Sequence, residues 1–351
     1  MSPELAGGPA ATADPGSPAL PVAAGEPLLN VRGLTVEIRG RRFRPPVKIL
    51  DRVSLSVAPG QTLGLVGESG AGKTTLALAI LGLVPVTSGS IRFAGHELAS
   101  IGRRSRRRLS RDLQVVFQDP YSALNPARTV GQALSEPLDV HETLSRADKR
   151  ERIARLLDQV GLPADATERY PAEFSGGQRQ RIAIARALMV SPKLVICDEA
   201  VSALDLSIQA QILNLLADLQ RELSVSYLFI SHDLAVVRHL SSRVVVLYRG
   251  QVMETGPAHA ICGRPSHPYT RALLAAALSP DPGQARPAAR GAERRPELAG
   301  GPGGCPYYSR CAIAVPRCRV ERPELRPTAA ATQAACHRLP GQFSRNAGGT
   351  Q

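Results

Sequence analysis

Gly67-Glu68-Ser69-Gly70-Ala71-Gly72-Lys73-Thr74 is the stretch that decides the fold. Glycines let a loop wrap closely around phosphate oxygens, with backbone N–H groups turned inward toward negative charge. A lysine at the end of such a loop reaches the β- and γ-phosphates of a nucleotide, and the hydroxyl that follows, here Thr74, is offered to Mg²⁺. The pattern carries weight only where a strand enters it and a helix leaves it. Both are present. Thr62-Leu63-Gly64-Leu65-Val66 reads as a buried strand, and Leu76 to Leu81 reads as a helix opening just after the loop.

Further along, Phe174-Ser175-Gly176-Gly177-Gln178 runs directly into Arg179-Gln180-Arg181-Ile182-Ala183-Ile184-Ala185-Arg186-Ala187-Leu188. A glycine pair opening a helix exposes backbone donors at the positive end of the helix dipole, which suits an anionic group. Leu194-Val195-Ile196-Cys197-Asp198-Glu199 is an apolar run ending in two carboxylates, the pattern of a buried parallel strand that delivers acids at its C-terminal tip. Ser202-Ala203-Leu204-Asp205 follows. A second apolar strand, Tyr227-Leu228-Phe229-Ile230, then ends at Ser231-His232-Asp233. This ordered set resembles the ATP-binding-cassette (ABC) family of transport ATPases, over roughly residues 28 to 340.

The resemblance implies an α/β fold: a P-loop NTPase cassette with a parallel-sheet core, an antiparallel β lobe and a helical insert, plus a small cysteine-containing C-terminal module. Residues 1–27, rich in Ala, Pro and Gly, read as a disordered tail, and 28–262 as the cassette, with its helical subdomain at about 121–188. Residues 263–340 read as a C-terminal extension containing a Pro/Gly/Ala/Arg-rich linker at about 280–303, and 341–351 as a second tail. Within the cassette, Leu28 to Ile38, Val53 to Val57, Gly89 to Phe93, Leu113 to Phe117, Val244 to Tyr248 and Gln251 to Glu254 read as further strands. Ser207 to Leu223 reads as an amphipathic helix.

Composition agrees with such a chain. Its 351 residues are ample for a large core, and 43% hydrophobic with 21% charged residues are values of a soluble globular protein. The longest apolar run, Leu76 to Val86, is broken by Gly82 and Pro85 and falls short of the ~18 residues that span a bilayer. The N-terminus lacks the basic and apolar regions of a signal peptide. The expected location is therefore the cytoplasmic side of the inner membrane, as a peripheral subunit. The net charge of +13 is densest at Arg103, Arg104, Arg106, Arg107, Arg108 and Arg111. A solvated face is the plain reading of that cluster and a contact with anionic lipid headgroups the sharper one. No aromatic residues are interleaved to stack on bases, so no nucleic-acid partner is expected.

Carried over motif by motif, the resemblance implies an ATP site built from Gly67, Glu68, Ser69, Gly70, Ala71, Gly72, Lys73, Thr74 and Thr75. Asp198 matches the magnesium-side acid, facing Thr74 across the ion. Glu199 matches the position that polarises the attacking water, and His232 the switch histidine that contacts the γ-phosphate and orients Glu199. Gln118, in Val116-Phe117-Gln118-Asp119-Pro120, resembles the glutamine that touches both the magnesium and the water. Two cassettes pack head to tail in this family, so Ser175, Gly177 and Gln178 of one chain cover the γ-phosphate held by the other, with Asp205 bridging the two sites. The aromatic residue that stacks on adenine is best matched by Phe43, within an Arg-Pro-rich insertion. Position 200 is alanine where proline is expected after the acid pair.

The C-terminal part narrows the family. His267-Pro268-Tyr269-Thr270-Arg271-Ala272-Leu273-Leu274 and Gly304-Cys305-Pro306-Tyr307-Tyr308-Ser309-Arg310-Cys311 resemble the extension of oligopeptide and dipeptide importers. The implied function is the ATP-hydrolysing subunit of a peptide importer. Its implied partners are two transmembrane permease subunits, a second cassette (a copy of this chain or a paralogue) and, indirectly, an extracytoplasmic substrate-binding protein. Related importers carry nickel chelates; drug efflux and a soluble non-transport ATPase are the more distant alternatives. Cys305, Cys311, Cys318 and Cys336 suit Zn²⁺ or an iron–sulfur cluster as four thiolates, without the tight C-x₂-C pairs of zinc ribbons, with free thiols as the remaining alternative. The resemblance points to a [4Fe-4S] cluster in a structural role. Cys197 and Cys262 read as ordinary buried or helix-end residues.

Overall fold

A computed structural model describes residues 25–38, 46–99, 101–119, 123–277, 303–328 and 331–339. Two sheets organise the described residues. The smaller, antiparallel one contains β1 (Leu29–Ile38), β2 (Val47–Val57), β4 (Ser88–Phe93) and β5 (His96–Glu97) in the order β2-β1-β4-β5. The larger one is built from β3 (Thr62–Val66), β6 (Leu113–Val116), β7 (Leu194–Asp198), β8 (Ser226–Ser231), β9 (Arg243–Tyr248) and β10 (Gln251–Pro257), completed by β11 (Leu325–Pro327) and β12 (Gln333–Ala335). Its order is β11-β12-β10-β9-β3-β8-β7-β6. The pairs β6–β7, β7–β8, β8–β3 and β3–β9 are parallel, and the remaining pairs are antiparallel.

Side chains on the central strands alternate between two cores, because successive residues of a strand point to opposite faces. Leu194 and Ile196, Leu228 and Ile230, Val245 and Leu247 join one core with the small sheet and with α1 (Lys73–Leu81). Their neighbours Val195 and Cys197, Tyr227 and Phe229, Val244 and Val246 join the other. That second core takes in α3 (Val130–His141), α4 (Arg146–Gln159) and α5 (Gly176–Leu188) of the helical insert. It also takes in α6 (Leu206–Leu223) and α7 (Leu234–Leu240). Burial on both faces explains why these strands read as unbroken apolar runs.

Two features add to the sequence reading, and a third part of it is not reached. The arginine-rich stretch forms a helix, α2 (Arg103–Asp112), and does not spend all its charge on solvent. Arg106 donates to the Leu81 and Leu98 carbonyls, and Arg111 pairs with Glu142, while Arg107 and Arg108 are exposed. Next, the cysteine-bearing segment is no free-standing module. β12 pairs antiparallel with β10, at Glu254↔Ala334 and Thr255↔Gln333, and Cys305, Tyr307 and Cys318 belong to the second core. A segment too small for a core of its own is stabilised by borrowing one. Finally, most of the linker and both tails lie outside the described residues, as does Phe43.

The extension is anchored by a buried carboxylate. Glu254 on β10 accepts from the backbone N–H groups of Ser266 at 2.7 Å and His267 at 3.0 Å, ahead of α9 (Pro268–Ala277); α8 (Ala258–Gly263) intervenes. Burial raises the Glu254 carboxyl above the usual range, and those N–H bonds oppose the shift.

Candidate functional site

The parallel register assembles the site. Val66 lies opposite Ser231 and Val246, Asp198 opposite Ile230, and Cys197 opposite Val116. The residues that follow these strands therefore emerge at one carboxyl edge, where open α/β sheets bind their ligands. They are the phosphate loop after β3, Gln118 after β6, Glu199 after β7 and His232 after β8.

Local chemistry shapes each piece. Gly67 is required by close approach: a Cβ there would stand 2.2 Å from the Leu247 carbonyl oxygen. α1 starts at Lys73 with Gly72 as its N-cap, and neither a capping side chain nor an acidic residue occupies its first turn. Its N-terminal N–H groups and positive dipole end are thus available to an anion. Lys73 Nζ lies 2.8 Å from the Gly67 carbonyl oxygen, 3.2 Å from that of Glu68 and 3.5 Å from Glu199 Oε1. Thr74 donates to Asp198 Oδ1 at 3.4 Å. Burial pushes the Asp198 carboxyl above its ordinary range, the Thr74 bond opposes this, Glu199 adds to it, and Lys73 opposes it.

Glu199 sits in the left-handed region at φ 49°, a conformation uncommon outside glycine. It is over-determined by its surroundings. Its N–H donates to the Ile230 carbonyl at 3.0 Å, and its own carbonyl accepts from the Ser202 N–H at 3.1 Å and hydroxyl at 3.0 Å. This turn aims the carboxylate between Lys73 and His232, whose Nδ1 is 3.7 Å from Glu199 Oε2. Gln118 is exposed just beyond β6, and Ala200 is buried.

Ser175, Gly177, Gln178 and Asp205 form a second group. Ser175 caps α5 in a reciprocal box with Gln178, and Asp205 caps α6 by accepting from the Ile208 N–H at 3.0 Å. A Cβ on Gly177 would stand 2.6 Å from Ile208 Cγ2, so the two helix starts abut. Among the described residues no hydrogen bond or ion pair joins this group to the phosphate loop of its own chain.

The four C-terminal cysteines line one pocket, together with Tyr308, Ile313 and His337. Burial pushes the Cys305 thiol up to about 12, and the other three cysteines add to that shift. Among the described residues no group of three His, Cys, Asp or Glu side chains is arranged to hold a metal ion. Cys197 is buried with its thiol pushed up to about 12 by desolvation, and Cys262 lies on α8.

Comparison with known proteins places the chain. Residues 50–202 match the ABC transporter family, and residues 253–318 match the C-terminal region of oligopeptide/dipeptide transporters. The di/tripeptide transport ATP-binding protein DppF of Pseudomonas aeruginosa is 47% identical over 318 residues, covering 89% of this chain and 98% of that one. The chain belongs to the ABC transporter ATP-binding proteins of the oligopeptide/dipeptide branch. The protein y4tS of Sinorhizobium fredii, by name a peptide ABC transporter ATP-binding protein, is 48% identical over 315 residues, 88% of this chain and 89% of its own. Among solved structures, cbiO1 from Clostridium perfringens, part of the ABC transporter complex cbiONQ, superposes with a TM-score of 0.62 at 26% identity. That match covers 68% of this chain and 92% of cbiO1. A dimeric post-hydrolysis state of the ATP-binding cassette MJ0796, bound to ADP and Pi, gives 0.59 at 25% identity, over 66% of this chain and 98% of that one. This ABC cassette is an ATPase.

The sequence reading missed what touches the phosphate loop from the C-terminal extension. The Glu68 N–H donates to the Tyr269 hydroxyl at 2.9 Å, and Glu68 Oε2 accepts from Arg310 at 2.7 Å. Both partners lie inside quoted motifs of the extension, but no local pattern says which distant loop a side chain will meet.

Proposed function

We propose that this ATPase energises import of di- and oligopeptides across the cytoplasmic membrane, with Glu199 as the group that polarises the attacking water. The convergence of Lys73, Thr74, Asp198, Glu199 and His232 on one sheet edge carries the catalytic part of this reading. The match of residues 253–318 to the oligopeptide/dipeptide region, and relatives named for peptide transport, carry the cargo.

Lys73 and the N–H groups of the loop and of α1 neutralise the β- and γ-phosphates as ATP seats. Phosphoryl transfer needs positioning and charge stabilisation more than covalent help, and these groups supply both. Glu199, fixed in its turn, accepts a hydrogen bond from water in line with the γ-phosphate, while His232 orients the carboxylate from its other side. Magnesium suits the pair Thr74 and Asp198: two oxygens meet there, and the Asp198 carboxylate is one that burial alone would leave poorly compensated. When bound it neutralises phosphate charge, with Gln118 at hand beside β6.

Ser175, Gly177, Gln178 and Asp205 act on the phosphate loop of a second cassette, either a copy of this chain or a paralogue. Leu206, 85% exposed at the start of α6 beside Asp205, supports an apolar neighbour there, and the solved MJ0796 cassette is a dimer. No helix among the described residues is long and apolar enough to cross a membrane, so two permease subunits supply the channel and place the cassette at the membrane face. An extracytoplasmic binding protein delivers the peptide.

Cys305, Cys311, Cys318 and Cys336 hold a [4Fe-4S] cluster that stabilises the extension. What supports this reading is that the four cysteines line one pocket and that cysteine thiolates in a set of four are the ligands such clusters take. Chain purified without oxygen is expected to contain iron and acid-labile sulfide in equal amounts, and Cys311→Ala to lose both. Zinc in their place would overturn this assignment.

Uptake of labelled di- and oligopeptides tests the main reading, in cells lacking this chain and supplied with wild type or Glu199→Gln. Only wild type is expected to restore uptake, although both bind ATP. Uptake that never depends on the chain would sink the peptide cargo and turn attention to nickel chelates, then efflux.

A further inference from the structure

Both ends of the phosphate loop are tied to the C-terminal extension. At the front, Glu68 is held twice, its N–H by the Tyr269 hydroxyl and its carboxylate by Arg310. Tyr269 is fully buried and locked by aromatic neighbours, its ring centroid 4.5 Å from Tyr248 and 5.4 Å from Tyr307. The Arg310 guanidinium lies 5.6 Å from the Tyr307 ring centroid and 6.0 Å from that of Tyr248. At the back, the Ala71 carbonyl accepts from the Gly250 N–H at 2.8 Å, and the Gly250 carbonyl from the Asp51 N–H at 2.9 Å. Arg322 closes that relay, donating to Asp51 Oδ2 at 2.6 Å and to its backbone oxygen at 2.9 Å.

Glu68 is where this bracing meets the chemistry. The Gly67 carbonyl oxygen, which shares a peptide unit with the Glu68 N–H, lies 2.8 Å from Lys73 Nζ, so that one peptide unit is gripped by the extension on one side and by the catalytic lysine on the other. We propose that Arg310, Tyr269 and Arg322 are positioning residues of the ATP site, which hold the phosphate loop in its nucleotide-binding shape from the C-terminal extension. ATP affinity then depends on side chains that touch no part of the nucleotide. A pre-shaped loop binds more tightly because less ordering remains to be done on binding. The proposal rests on the loop being the ATP site and is independent of what the cysteines hold.

A purely structural role makes a different prediction. Glu68 and Arg310 are 40% and 33% exposed, and such ion pairs add little to global stability. Their removal should thus change nucleotide binding far more than melting temperature. The test titrates full-length chain with ATP and magnesium by calorimetry, in the Glu199→Gln background to prevent turnover. Arg310→Ala and Glu68→Ala are each expected to weaken binding by about fivefold or more, within the usual range of coupling between sites. The double variant is expected to be no weaker than either single one, since both remove the same contact. Tyr269→Phe should weaken binding too, Arg310→Lys should recover part of the loss, and melting temperatures should stay close to wild type. Arg317→Ala, which breaks a pair with Glu321 inside the extension, should leave affinity unchanged. Lys73→Ala reports on the loop itself. Full affinity in Arg310→Ala alongside lost affinity in Lys73→Ala overturns the bracing while leaving the ATP site intact. Losses that add in the double variant overturn it as well.

Discussion

Acid reaches the fold through His267. The ring is buried, and its Nδ1 accepts from the Tyr269 N–H at 3.0 Å, so its proton is carried on Nε2. Burial holds the imidazole down at about 4; a bond to the Ala335 backbone opposes this, and Arg271 reinforces it. An unfolded histidine titrates near 6.5. Between those values the unfolded chain takes up a proton that the folded chain refuses, so stability is full above about pH 6.5 and is lost as pH falls toward about 4. Glu254 works with the opposite sign. Its raised carboxyl keeps a proton in the folded state longer than in the unfolded one, so its contribution declines as pH rises. Glu254 is common to wild type and to His267→Asn, so comparing the two isolates the imidazole. In urea unfolding near neutral pH, wild type is expected to be the more stable. The gap should then shrink by about 3 kcal/mol at most as pH falls from about 6.5 to about 4. A gap that stays constant over that range would remove His267 from the account.

At the scale of elements, helix starts carry two duties at once. Ser175 caps α5 and is also, in the pairing proposed above, the hydroxyl offered to the γ-phosphate of a second cassette. Ser175→Ala should therefore cost about 1 kcal/mol of stability in chemical denaturation, apart from any catalytic loss. Ser175→Asn retains a capping oxygen and should keep the stability while impairing ATP turnover. Equal destabilisation by both would show that the cap is not what Ser175 contributes. The elements most legible in the sequence were those with a single strong cause. β7 and β8 are apolar on both faces, and α6 repeats its apolar residues at helical spacing, so each stands out without knowledge of its neighbours. α2 was hidden because its charges mask helical periodicity, and the helix becomes plain only once Arg106 is seen bonding to the ends of α1 and β5. β11 and β12 were hidden for another reason. Strands of three residues have too little pattern to declare themselves, and they exist because β10 offers an edge to pair with. In the site, Lys73, Thr74, Asp198, Glu199 and His232 were legible as motifs. Arg310 and Tyr269 were visible as letters, but their destination depends on tertiary structure.

The whole molecule relies on its last strands to finish its sheet. Without β12, β10 becomes an open edge with unpaired N–H and C=O groups, and the faces covered by Tyr307 and Cys305 are uncovered. Open apolar edges pair with other chains. A chain ending after residue 277 is expected to melt several degrees lower and to aggregate on warming, as read by light scattering. A truncated chain that stays monomeric with an unchanged melting temperature would mean that β12 is dispensable. The bracing of the phosphate loop has a further consequence, in time. Arg310 and Glu68 are 242 residues apart, and Arg322 and Asp51 are 271 apart. A ribosome making this protein finishes every nucleotide motif well before it reaches those arginines. The newborn chain thus carries all the letters of an ATP site from residue 233 onward, and the site is drawn taut only when the segment with Arg310 and Arg322 leaves the exit tunnel and folds back.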